Sequence, residues 1–302
     1  MIIKNIIKAI LPNTYYKNLS AFYRKFFKRK IPVHIKDAMG FDLYQNVNDI
    51  IDYSPFAGCS LKKLPNNVDT RIFQTINKYV TQGSVAIDIG ANIGLMSLAM
   101  SKCVGFNGRV LSFEPGPVSY GLLRRNVYTN NEIGNIIISD QAVSDTDGNA
   151  PLFINPNGES DNQIHKNQTE YIFKNEQKRS KFDVETITID SILKNNSIDF
   201  TNVSFVKIDT QGHDLEVMRG GKYLFKNSKK IAVLCEFAPY LKAWENISID
   251  EFYDTIKSYD FDIYDDSNID EGIVTLEYLK KNYGFDKISK YTDLLLLKGL
   301  SI

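Results

Sequence analysis

Residues 85–94 read Val-Ala-Ile-Asp-Ile-Gly-Ala-Asn-Ile-Gly, and no other stretch limits the possible folds as much. Val85–Ile87 is a short unbroken apolar run, as expected for a parallel strand buried on both faces. Gly90 and Gly94 then enclose a turn, and Leu95–Met100 continues with helical spacing. Glycine lets a backbone approach a ligand and take positive φ without a Cβ clash. The helix N-terminus beyond it offers free N–H groups to an anion. A second strand is predicted over Arg109–Phe113, closed by Glu114 and Pro115. A carboxylate at that position can accept both hydroxyls of a ribose.

The turn also discriminates between nucleoside cofactors. A dinucleotide site favours Gly-x-Gly-x-x-Gly, with the pyrophosphate on the helix end. Here Asn92 stands where the second glycine would be, and Asp88 precedes the loop. Asp88 repels a pyrophosphate and attracts an ammonium. S-adenosylmethionine carries that ammonium together with a ribose and an adenine. A nicotinamide-dependent oxidoreductase and a non-catalytic module that keeps the cofactor pocket are the alternative readings.

From Val85 onward, strands and helices alternate, which signals a parallel sheet covered on both faces. Strands are expected near 84–89, 109–113, 135–139, 203–208, 231–237, 261–264 and 293–297. The last two are expected to form a terminal hairpin with one antiparallel strand. Helices are expected near 68–80, 93–103, 118–130, 213–225 and 249–258. Asp88, Glu114, Asp140, Asp209 and Glu236 all fall at predicted strand ends, where α/β sheets bind ligands. Residues 1–65 read as a basic arm followed by an irregular segment. Residues 66–302 read as one catalytic domain, with a loop and strand insertion near 147–189.

Net charge is zero, so no global field points to nucleic acid. Residues 1–36 nevertheless contain nine Lys/Arg and no Asp or Glu. Within them, Phe22, Tyr23, Phe26 and Phe27 interleave with basic residues. Residues 1–30 therefore suit either docking on the domain or a partner, or peripheral contact with an anionic membrane. Three cysteines without paired spacing form neither a disulfide framework nor a zinc site, so a cytoplasmic setting is expected.

Four segments carry a family resemblance: Asp88–Gly94, Phe113–Pro115, Ala142–Asp145, and Lys207-Ile-Asp-Thr-Gln-Gly212 followed by Leu215–Gly221. Over roughly residues 66–240 the chain resembles the FkbM-type S-adenosylmethionine-dependent methyltransferases. The resemblance implies a Rossmann-like class I methyltransferase fold with a seven-stranded, mostly parallel sheet. It also implies O-methylation of a hydroxyl on a glycan, lipid-linked saccharide or related metabolite. Gly90, Ala91, Asn92 and Gly94 would surround the methionine part of the cofactor, and Glu114, beside Pro115, would take the ribose. Asp140 and Ala142 would border adenine, with Gln141 as the alternative to Asp140. Asp209 would lie beside the methyl donor.

Methyl transfer to oxygen requires an acceptor held in line and a group that takes its proton. Asp209, His213 and Glu236 are the catalytic candidates, with His165 further off. His213 is equally well read as a polar residue at a helix start. Asp209 and Glu236 also raise the expectation of Mg²⁺, which prefers oxygen ligands. Asp161, Asn162 and Gln163 are candidates for hydrogen bonding to a polyhydroxylated acceptor, and Tyr240 and Trp244 for stacking on a sugar.

Overall fold

The computed structural model describes residues 32–38, 41–46, 68–130, 134–154, 162, 164, 180–239, 248–287 and 290–302. Most of the basic arm, and with it residues 1–30, lies outside these. So do Asp161, Gln163, His165, Tyr240 and Trp244.

The central sheet begins with β3 (Val85–Ile89), β4 (Arg109–Phe113) and β5 (Ile136–Ser139). It continues with β9 (Val203–Ile208), β10 (Ile231–Phe237), β11 (Asp262–Asp265) and β12 (Thr292–Lys298). Its order is β11-β12-β10-β9-β3-β4-β5, and β12 alone runs antiparallel, lying between β10 and β11. The chain steps outward from β3 through β4 to β5, then returns to lay β9 on the other side of β3. That reversal opens a crevice at the carboxyl ends of β3 and β9, where an open α/β sheet binds its ligand.

Strand parity divides the core. Val85, Ile87 and Ile89 face one side, against α4 (Ile189–Asn195), α5 (Asp214–Gly220) and α7 (Ile249–Lys257). Ala86 and Val110 face the other, against α1 (Val68–Tyr79), α2 (Leu95–Val104) and α3 (Pro117–Asn130). Both faces are apolar, which explains the unbroken hydrophobic runs of the parallel strands.

Three features differ from the sequence-based expectation. The helix expected over 213–225 is two, α5 and α6 (Lys222–Asn227), parted at Gly220-Gly221. A Cβ at Gly220 would lie 2.0 Å from the Ser144 carbonyl oxygen, so the chain passes there only as glycine. β11 and β12 pair, but not as a tight hairpin; residues 266–291 intervene and include α8 (Leu276–Tyr283).

The third difference lies at the end of the basic arm and in the irregular segment after it, where β1 (Pro32–Ala38) and β2 (Phe41–Asn46) form an antiparallel hairpin. Two asparagines of α3 hold it. The Asn130 amide brackets Asp42, accepting from its N–H and donating to its carbonyl, both at 2.8 Å. Asn126 does the same at Tyr44, at 2.7 and 2.9 Å, and also donates to the Ile93 carbonyl. The side-chain amides thereby satisfy an edge that would otherwise leave backbone groups unpaired. Phe41 and Leu43 bury themselves in the core shared with α3.

The insertion's strands β7 (Gly148–Ile154) and β8 (Ser180–Ile187) join the preceding β6 (Ala142–Val143) in a separate sheet, with β8 in the middle. It stands beside the carboxyl end of β4. Among the described residues, no helix is long and apolar enough to cross a membrane.

Candidate active site

A cleft of roughly 700 Å³, counted with the open solvent at its mouth, lies at the crevice. Its polar end is formed by Gly90, Asn92, Asp209, Thr210 and Gln211, and Glu114 stands in its wall. The rest is largely apolar, with Phe113, Pro115, Ala142, Val143, Leu152 and Ile164.

The turn after β3 is stitched to the neighbouring strands. The Gly90 and Ala91 N–H groups both donate to the Phe113 carbonyl, at 3.0 and 2.9 Å. Asp209 N–H donates to the Ile89 carbonyl at 3.0 Å. Gly90 takes φ +74°, and a Cβ there would lie 1.8 Å from the Asp209 carbonyl oxygen. Asn92 follows at φ +50°, which asparagine tolerates better than most residues. Its Oδ1 is buried and accepts no hydrogen bond from the described residues.

Glu114 joins two turns. Its Oε2 accepts from Asn92 N–H at 2.9 Å and its Oε1 from Gly116 N–H at 2.8 Å. Burial pushes its carboxyl up to about 7, although both backbone donors pull the other way.

Asp209 is partly open, with its side chain 37% exposed. Its Oδ2 accepts from Lys207 Nζ at 2.9 Å and its Oδ1 from Gln211 Nε2 at 3.2 Å. Burial alone would lower the ammonium of Lys207. Asp209, Asp88 and Asp293 outweigh it and hold that ammonium charged. Gln211 Nε2 also lies 3.3 and 3.4 Å from the two Glu236 oxygens. Burial, with Asp209, Asp214 and Asp293 nearby, pushes the Glu236 carboxyl well above the ordinary range.

Several expectations are corrected. Asp88 is fully buried and does not line the cleft. Strand parity turns it to the face of Ala86, toward α2, where it accepts from Ser97 Oγ. Its Oδ1 has no hydrogen-bond partner among the described residues, and burial raises its pKa. Gly94 shapes the start of α2 and lies against Leu123, whose Cδ1 would be 2.5 Å from an added Cβ; it is not in the cleft wall. Ala91 is likewise buried outside the wall.

Asp140 is exposed, and Gln141 turns outward to donate to Glu185 at 3.1 Å, so neither borders the apolar end. His213 is 3% exposed and faces β6, with Nε2 2.9 Å from Ser144 Oγ and Nδ1 3.6 Å from Glu216. It stands at the N-cap position of α5 without a side-chain capping bond and does not line this cleft. Mg²⁺ finds no donor set either: among the described residues, no three His, Cys, Asp or Glu groups come together to hold a metal ion. The Gln211 amide donor sits between Asp209 and Glu236, where a cation would need an acceptor.

Other wall residues were not assigned to the cofactor from the sequence. Asn162, read as an acceptor contact, stands in this wall next to Gly116, and Leu152 and Ile164 come from the insertion. The polar stretch around Asn162 was the only signal, and it did not say which ligand it faces.

The Methyltransferase FkbM domain family matches residues 88–263, more than half of the chain. The chain belongs to the FkbM methyltransferase family. Its similarity to curated relatives is distant. The methyltransferase sdnD of Sordaria araneosa is 26% identical over 153 residues, 44% of this chain and 59% of that protein. The hexuronic acid methyltransferase AglP of Haloferax volcanii is 27% identical over 139 residues, 46% of this chain and 50% of that protein. The chain thus spans between half and three-fifths of the length of these relatives. A solved FkbM methyltransferase from Methylobacillus flagellatus is 12% identical at a TM-score of 0.40, covering 78% of this chain and 56% of that one. In this FkbM domain the glycine turn, Glu114 and the Lys207–Gly212 segment all meet at the cleft.

Proposed function

We propose that the protein is an S-adenosylmethionine-dependent O-methyltransferase whose acceptor is a hydroxyl on a saccharide or related metabolite. The observation that carries this reading is the division of the cleft. Its apolar end suits adenine, Glu114 offers a carboxylate to a ribose, and Asn92 Oδ1 with Asp209 offers acceptors to an ammonium. A pyrophosphate would meet Asp209 and Glu114 instead of donors, which disfavours a dinucleotide. When bound, the cofactor supplies an electrophilic methyl group.

The side chains here hold and orient. Lys207 and Gln211 fix both oxygens of Asp209, which keeps that carboxylate against the cleft wall. Gln211 also extends the network to Glu236, a carboxyl that would receive the proton of an acceptor hydroxyl when ionised. The saccharide class rests on family membership and on the named activity of AglP, a relative matched over half its length.

The test is binding of S-adenosylhomocysteine as a function of pH. Hydroxyl donors favour an ionised acceptor, so ligand binding is coupled to loss of the Glu114 proton. Glu114 titrates at about 7 when free. Affinity should therefore tighten as pH rises from about 5.5 and level off above about 8. NAD should not bind at any pH in that range. A flat profile, or NAD binding in its place, contradicts the reading.

A further inference from the structure

Gly116 shows how closely the insertion approaches the nucleoside end of the cleft. A Cβ built on it would lie 2.6 Å from Asn162 Nδ2 and 2.8 Å from Glu114 Oε1. Both atoms border one point, and the end of the amide turned toward it is the donor end. Gly116 is tied to the same carboxyl group, since its N–H donates to Glu114 Oε1. Asn162 and Glu114 both line the cleft. An amide donor thus stands beside the acid placed above at the ribose.

Asn162 is also anchored. Ile164, two positions on, is 5% exposed and packs with Ala142, Leu152 and Ile154 in a small core of its own. Ala142, Leu152 and Ile164 line the cleft as well. The core that holds this part of the insertion together therefore also forms the apolar wall assigned to adenine, and it ties down the segment that carries Asn162.

A ribose diol calls for both a donor and an acceptor. Each hydroxyl gives one proton and has two lone pairs. An ionised carboxylate only accepts, at about four positions, of which the Asn92 and Gly116 N–H groups take one on each oxygen. The remaining positions can take both ribose protons. The hydroxyl lone pairs then need a donor, because an enclosed polar group without a partner costs free energy. We propose that Asn162 is a cofactor-binding residue that donates to the ribose hydroxyls beside Glu114, so that the insertion completes the nucleoside half of the site. This rests on the S-adenosylmethionine reading and deepens it, and it moves Asn162 from the acceptor to the cofactor.

Calorimetric titration of the full chain tests this at about pH 8, where Glu114 is ionised. One probe is S-adenosylhomocysteine. The second is 5′-methylthioadenosine, which keeps the ribose and lacks the amino acid. The third is the 2′,3′-dideoxy analogue of S-adenosylhomocysteine, which lacks the diol. Asn162→Ala should weaken the first two by a similar factor, about three- to tenfold for one lost hydrogen bond, and leave the third unchanged. Asn162→Asp keeps the size of the side chain but places an acceptor beside Glu114, so it should cost S-adenosylhomocysteine more than Asn162→Ala does. Where Asn162→Ala does not fold, Asn162→Asp carries the same comparison of ligands. The proposal is overturned if S-adenosylhomocysteine binds either variant as tightly as the unaltered chain. It is equally overturned if all three ligands weaken alike, as a merely structural role requires. Failure of the unaltered chain to bind S-adenosylhomocysteine would instead sink the methyltransferase reading.

Discussion

Gly90→Ala should destabilise the domain by about 3 kcal/mol or more, adding backbone strain to an overpacked contact. The added Cβ would lie 1.8 Å from the Asp209 carbonyl oxygen and 2.8 Å from its carbon, in a backbone at φ +74°. Neither side can yield cheaply. The Gly90 N–H is held by Phe113, and the Asp209 N–H by Ile89. Relief would require separating β3 from β9, the two strands between which the crevice opens. A melting temperature lower by about 6–12 °C is expected for a domain of this size. Gly83→Ala is the control: φ there is +79°, but nothing lies within 4 Å of the added carbon. It should cost only about 1 kcal/mol. Equal losses for the two variants would show that the close approach at Gly90 is unimportant.

Glu114→Ala should weaken S-adenosylhomocysteine binding by about 1–3 kcal/mol, or roughly five- to 150-fold in dissociation constant. Two effects act together. The ribose loses its acceptor, and the Asn92 and Gly116 N–H groups lose theirs. Asn92 and Pro115 sit in the cleft wall, so loosening these turns disturbs the walls as well. Glu114→Gln separates the effects, because it keeps the size of the side chain and one acceptor oxygen. It should retain most of the fold stability, lose affinity, and abolish the pH dependence above. Calorimetric titration of both variants checks this, and an unchanged dissociation constant in Glu114→Ala would contradict the role given to Glu114.

Much of the sheet was legible because its cause is local. A strand buried on both faces must be continuously apolar, and Val85–Ile87, Val203–Ile208 and Ile231–Phe237 are nearly so. The carboxyl ends of Arg109–Phe113 and of the last two of these strands then place Glu114, Asp209 and Glu236 near the crevice without knowledge of any contact. The direction of each side chain was not legible in the same way. Asp88 lies in a strand whose two faces are both buried, so its apolar neighbours do not reveal which face it takes. His213 could begin a helix or enter the site, and only the packing of α5 against the Ser144 segment decides between them. The hairpin β1–β2 depends on Asn126 and Asn130, more than eighty positions away in the chain. Leu152 and Ile164 reach the cleft from the insertion. Such long-range placements leave no periodic trace.

The cleft's assignment to a sulfonium nucleoside is tested most directly by a crystal structure with S-adenosylhomocysteine. The adenine should lie among Pro115, Ala142, Leu152 and Ile164, the ribose hydroxyls on Glu114, and the ammonium within reach of Asn92 Oδ1 and Asp209. Density for the ligand elsewhere, or a ribose turned away from Glu114, would contradict the assignment.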